Sequence, residues 1–245
     1  MRFLLYNIRY AAGIGKEIHF PFPYSGYLKK TNKNLLKIAG FIKKMNPDIV
    51  GLVEVDSGSF RTGNRNQAEM ISEKLGCYHV YQSKYGKKSI LKFVPLLKQQ
   101  GNAFLTNQEI EAETFHYFNK GVKKMVMELE LEECNIFLVH LSLKFRHRQN
   151  QLVDLYSIIK ESDKPVILAG DFNSFWGNHE LELFLAATGL INANTENMPS
   201  HPSRAPKRVL DFILHSPEVK ITNFEIPQVK YSDHVPLICD FTIKK

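Results

Sequence analysis

The 245-residue sequence predicts an α+β fold in which two packed mixed β-sheets carry helices on their outer faces. Three observations lead there. A strand–helix–strand unit occurs twice, short strand-like segments run between the two copies, and each strand of the doubled unit ends on a polar residue.

The first unit opens with "RFLLYN", an apolar run ending on Asn7. Leu35, Ile38, Ala39, Ile42 and Met45 then recur on one helical face, Pro47 closes the helix, and "DIVGLVE" forms a second strand ending on Glu54. Segments around 101–106, 112–118, 123–131 and 134–141 read as successive short strands separated by turn-like breaks, an antiparallel meander. The second unit runs from "NIFLVH", ending on His140, through a helix with Leu152, Leu155, Tyr156 and Ile159 on one face. Pro165 and "VILAGD", ending on Asp171, complete it. "RVLDFILH" and "VPLICDFTI" supply the last strands. An approximate internal two-fold is expected, with strand ends converging on one site, where α/β layers commonly bind ligands.

A chain that is 44% hydrophobic and 23% charged can bury one sizeable core, so a single domain over 1–245 is expected. No apolar run approaches the roughly 20 residues that span a bilayer, and Asn7 and Arg9 interrupt "MRFLLYNIR" too early for a secretion leader. The expectation is a soluble cytoplasmic protein. Cys77, Cys134 and Cys239 are far apart and lack C-x-x-C spacing, which argues against a disulfide framework or a thiolate zinc site. A net charge of +7 favours an anionic partner: nucleic acid, phospholipid headgroups or a phosphorylated small molecule. Basic residues concentrate in "KKTNKNLLKIAGFIKK", "SKYGKKSILK", "KFRHR" and "SRAPKR", the first of which a solvated helix face explains equally well.

Asp or Asn after a strand is ordinarily a turn former or a helix cap. Glu54, Asp171, Asn173 and Asp233 together, however, offer the hard oxygen donors that suit magnesium or manganese, and His140 and His234 end comparable segments. In "YSDHVPL", read as the start of a strand, Asp233 and His234 point to opposite faces unless the backbone bends. A working histidine needs a group that fixes its tautomer, and Asp211 in "RVLDFILHS" is the natural one. In "AGDFNS", strand alternation puts Asp171 and Asn173 on the same side, while Gly170 lets the backbone approach closely.

"LLYNIRY", "PDIVGLVEVD", "VHLSL", "AGDFNS", "LDFIL" and "SDHVPL" stand in the order of the motifs of the endonuclease/exonuclease/phosphatase superfamily, which the chain resembles from Asn7 to Pro236. The resemblance implies a four-layer α/β/β/α sandwich and Mg2+-dependent hydrolysis of phosphoester bonds, with Mn2+ as a substitute. It makes Glu54 the principal metal ligand, with Asn7 beside it and Asp233 contributing. Asp171 would orient or deprotonate the attacking water and Asn173 would bond the scissile phosphate. Asp211 would hold His234, which either assists the water or, if protonated, stabilises the transition state, and His140 would stabilise the transition state or protonate the leaving group. Arg148 and Gln151 match an arginine and a glutamine of the family's following helix, which would contact phosphate or the catalytic histidine region or else form a network at the helix N-terminus, and Asn102 in "QGNAFLT" matches a phosphate contact. Abasic-site endonucleases carry a tyrosine-containing motif where this chain has "VHLSL", so His140 points to the deoxyribonuclease, sphingomyelinase and phosphatase branches. A phosphodiester substrate is the leading expectation. A phosphomonoester on a lipid headgroup or small molecule, or phosphate binding without chemistry, are the alternatives. Two further stretches bear on recognition: the rings of "HFPFPYSGY" at 19–27 either stack on bases or dip into a lipid surface when exposed, or cover one end of the sandwich when packed, and "SILKFVPLLK" at 89–98 forms an apolar lid or an edge segment broken by Pro95.

Overall fold

The computed structural model describes residues 1–14, 30–83, 99–121 and 125–244.

 Both recognition stretches named above, 19–27 and 89–98, therefore lie outside the described residues.

In chain order the elements are β1 (Arg2–Asn7), α1 (Asn32–Met45), β2 (Ile49–Asp56), α2 (Gln67–Leu75), β3 (Tyr78–Ser83), β4 (Gln100–Thr106), β5 (Ala112–Tyr117) and β6 (Met125–Glu130). There follow β7 (Asn135–His140), α3 (Phe145–Lys160), β8 (Val166–Asp171), α4 (Glu182–Thr188), β9 (Ile191–Asn192), β10 (Asp211–His215), β11 (Val219–Glu225) and β12 (Leu237–Ile243). They form two six-stranded sheets, ordered β11-β12-β1-β2-β4-β3 and β5-β6-β7-β8-β10-β9.

The doubled sequence pattern is a doubled topology. β1 and β2 pair in parallel around α1, with antiparallel β12 and β4 on either side. β7 and β8 pair in parallel around α3, with antiparallel β6 and β10 on either side. Period-two alternation gives each inner strand two apolar faces. Phe3, Leu5 and Phe104 meet Ile136, Leu138, Ala169 and Ile213 between the sheets. Leu4, Val50 and Leu52 pack outward on Ile38, Ile42 and Ile71, and Phe137, Leu168 and Phe212 pack outward on Leu155, Ile159 and Phe184. The result is the α/β/β/α sandwich. α1 buries Leu35, Ile38, Ala39 and Ile42 as its spacing predicts, and it stops at left-handed Asn46, whose N–H caps the carbonyls of Ile42 and Lys43. The short helices α2 and α4 are additions to the sequence-based expectation.

Three local expectations change. β2 continues two residues beyond Glu54, to Asp56. Ser232–His234 is a bend and not a strand start, because Asp233 O accepts from Ser203 N (2.7 Å) and Val235 N donates to Ser200 O (2.9 Å), tying it to the loop before β10. Asn173 does not extend β8: it is left-handed (φ 53°), and its N–H turns back onto Asp171 Oδ1 at 3.0 Å.

Candidate active site

The alternation that builds the central core also places the polar strand ends. Asn7 shares a face with Phe3 and Leu5, Asn102 with Phe104, His140 with Ile136 and Leu138, Asp171 with Ile167 and Ala169, and Asp211 with Ile213. All five side chains therefore project between the sheets, at the rim of the core. Glu54 has the wrong parity, since Val50 and Leu52, four and two residues before it, face the helices. The register between β2 and β4 shifts between Leu52 and Val55, and Glu54 takes φ 59°, a conformation that a non-glycine residue adopts only when its surroundings impose it. This bulge turns the carboxylate inward, where Oε1 lies 3.7 Å from His140 Nε2.

At the centre, Asp171 Oδ2 accepts from Asn7 Nδ2 at 3.0 Å and lies 3.3 Å from His140 Nε2. The parallel β7–β8 register sets His140 directly beside Asp171. It is possible only because Gly170 is there: a Cβ at that position would come within 2.0 Å of Val139 O, and its φ of 152° suits glycine alone. On the other side, antiparallel pairing aligns Asp211 with Asp171. Asp211 Oδ2 accepts from His234 Nδ1 and from Ser200 Oγ, each at 2.6 Å. Asp171, Asp211 and His234 each offer one ligand or hydrogen-bonding atom, all within 4.8 Å of one another.

His234 is buried, and burial alone would lower its pKa. The charge and hydrogen bond of Asp211, with Asp171 and Asp233 adding, outweigh that and push it up to about 10. At neutral pH this imidazole is a cation, suited to holding developing negative charge.

The other predicted residues sit around this centre. Asn173 is buried, and its Nδ2 donates to Leu141 O at 2.9 Å, bracing the turn after His140. Asn102 is buried on β4 opposite the Glu54 bulge, and neither end of its amide has a hydrogen-bond partner among the described residues. A buried amide with no protein partner is satisfied by a bound water, ion or ligand. Asp233 Oδ2 lies 3.4 Å from Arg9 Nε, and Asn7 Oδ1 accepts from Arg9 N at 3.1 Å. Arg148 is not brought to the centre. Its buried guanidinium pairs with Glu180 (Nε to Oε2, 2.9 Å) and donates to the carbonyls of Ser142 and Leu143. Gln151 accepts from Ser142 N at 2.8 Å, so both residues hold the loop after β7.

Sequence reasoning missed Arg9, Ser200 and His201, whose ring lies 4.7 Å from that of His234. Arg9, two positions after Asn7, was within reach of the pattern. Ser200 and His201 precede a strand by a loop of no regular period, which carries no such signal.

The donor set fits a hard divalent cation. Among the described residues, His201, Asp233 and His234 form one group of carboxylate and imidazole donors and Asp171, Asp211 and His234 another, the donor atoms of each within 4.8 Å of one another, and the unpartnered Asn102 amide leaves room for a ligand oxygen.

A sandwich with carboxylates, amides and paired imidazoles gathered at the rim between its sheets is the architecture of a phosphoester-hydrolase class. Residues 4–234 match the Endonuclease/Exonuclease/phosphatase family, and the chain belongs to it. Members are hydrolases acting on phosphoesters and typically use divalent metals. A UPF0294 protein of Vibrio vulnificus is 29% identical over 113 residues, covering 44% of this chain and 38% of the relative, so the match spans less than half the length of that curated protein. Among solved structures, an endonuclease/exonuclease/phosphatase from Beutenbergia cavernae superposes with a TM-score of 0.75 at 15% identity, over 100% of this chain and 72% of that one. A mannosyl-6-phosphatase of Bacteroides thetaiotaomicron gives 0.72 at 14% identity, over 99% and 100% of the two chains. At these identities the likeness is one of fold. No described helix is long and apolar enough to cross a membrane.

Proposed function

We propose that the protein is a Mg2+-dependent phosphodiesterase. The observation that carries this reading is the convergence of the Asp211–His234 pair and the Asp171–His140 pair on one rim: Asp211, Asp171 and His140 come from strands of one sheet and His234 from the bend before β12, opposite Glu54 and Asn7 of the other sheet. Glu54, Asn7 and Asp233 would hold the metal, which supplies Lewis-acid polarisation of a phosphoryl oxygen and neutralises leaving-oxygen charge. Asp171, oriented by Asn7, accepts a proton from the attacking water or aligns it. Cationic His234, fixed through Nδ1 by Asp211, presents its other ring nitrogen to a nonbridging oxygen as negative charge grows. His140, beside Asp171, donates to the phosphate or to the departing oxygen. Asn102 offers its unpartnered amide to the phosphate.

A phosphomonoesterase is the second reading, favoured by the whole-chain likeness to a structure described as a mannosyl-6-phosphatase. Paired assays on bis(p-nitrophenyl) phosphate and p-nitrophenyl phosphate in Mg2+ separate the two. The diester reading requires the higher kcat/KM on the diester. Turnover of the monoester alone would replace it with the second.

A further inference from the structure

The loops following β7 and β8 leave an apolar, cationic rim beside the active site. Leu143 and Trp176 are 61% and 72% exposed, with Phe145 and Phe175 also open to solvent. Scattered exposed apolar residues are ordinary, but these are linked. Arg148 lies over the Phe145 ring, donates to Leu143 O and pairs with Glu180, whose Oε1 accepts from Trp176 N at 2.8 Å. Phe175 follows, with the Arg208 guanidinium 5.4 Å from its ring centre. The rim is therefore held from beneath by a buried ion pair, not by an apolar partner.

Its charge is one-sided. Lys144, Arg146, Arg204, Lys207 and Arg208 are all exposed in the segments 142–148, 172–180 and 201–208, where the one carboxylate is Glu180, buried against Arg148. We propose that this rim docks on an anionic phospholipid surface. Leucine, phenylalanine and tryptophan beside cations fit the headgroup boundary, where the apolar tips are buried and the bases face lipid phosphates and carboxylates. A nucleic acid would use the rings and the cations but has no use for Leu143. His140 lies three residues before Leu143 and Asp171 four before Phe175, so docking turns the site toward the surface. The docking itself does not depend on the reaction.

Trp176 is the sole tryptophan of the sequence, so the intact protein reports on its own rim. Its emission is recorded against vesicles of phosphatidylcholine alone and of phosphatidylcholine with about one-third phosphatidylserine, at low and high salt. The expected result is a blue shift with the anionic vesicles that high salt reverses. Replacing Lys144→Ala and Arg146→Ala together should weaken partition by about 25-fold, at about fivefold per cation, while hydrolysis of soluble bis(p-nitrophenyl) phosphate stays unchanged. An unshifted spectrum on anionic vesicles overturns the proposal. So does an equal shift on neutral vesicles, or a response to a single-stranded oligonucleotide but to neither vesicle, which would make the rim a base-stacking surface. Loss of hydrolysis with retained docking would count against the phosphodiesterase reading alone.

Discussion

Replacing Asp211→Asn isolates the charge that sustains His234. The substitution conserves shape: one oxygen can still accept from Nδ1, and the amide nitrogen takes the place of Oδ1, which has no hydrogen-bond partner among the described residues. What disappears is the negative charge. At a separation of roughly 4 Å between charge centres and an effective dielectric constant near 20, that charge is worth about 4 kcal/mol to an imidazolium. The same magnitude covers the loss expected on removing one electrostatic partner from a transition state, about 100- to 1,000-fold in turnover. Without the charge of Asp211, only Asp171 and Asp233 are left to oppose burial, so the pKa of His234 falls and the imidazolium fraction at neutral pH drops. Steady-state hydrolysis measured from pH 5 to 9 should show kcat falling by about two to three orders of magnitude at neutral pH, with part of the loss recovered as the pH is lowered. A variant with near-native kcat and an unmoved pH profile would refute the role given to the pair.

Three further outcomes follow. The folded-state pKa of His234 lies above its ordinary value, so the stabilisation it brings is complete below about pH 6.5 and is lost as pH climbs toward about 10; urea midpoints taken without metal should fall over that window more in the native protein than in Asp211→Asn, and parallel declines would contradict this. Glu54→Gln should weaken Mn2+ binding by at least about 100-fold in calorimetry with the fold intact, whereas unchanged affinity would remove Glu54 from the metal site. Arg61→Ala should cost about 3–5 kcal/mol in urea unfolding, because it strands the fully buried Asp56 carboxylate that Arg61 Nη2 meets at 2.6 Å; a loss below about 1 kcal/mol would show that the pair breaks even.

Much of the site was legible because it follows from parity. A strand that alternates apolar residues toward a core must aim its terminal polar residue at the rim of that core, and Asn7, His140, Asp171 and Asp211 obey this rule. Glu54 breaks it. Only the left-handed bulge brings its carboxylate inward, and a bulge depends on the pairing of β2 with β4, which periodicity does not encode. Asn173 was read by extending the strand, but its own backbone hydrogen bond to Asp171 curls the chain there. Arg148 shows the opposite limit. Its place in the order of motifs left a contact to phosphate or to the catalytic histidine region open beside a network at the helix N-terminus; the second holds, and the partner, Glu180, 32 positions away, reflects tertiary packing that no local pattern carries. Ser200 and His201 reach the site through loop contacts tied to the bend at Ser232–His234, and the sequence around them has no repeating spacing to expose them.

The most direct measurement is hydrolysis of bis(p-nitrophenyl) phosphate by the purified protein in Mg2+, then in EDTA, beside a His234→Ala variant whose fold is checked by circular dichroism. The account predicts turnover that EDTA abolishes, that restored Mg2+ recovers, and that His234→Ala lowers by at least about 100-fold. Turnover that survives EDTA, or full activity in folded His234→Ala, would contradict it.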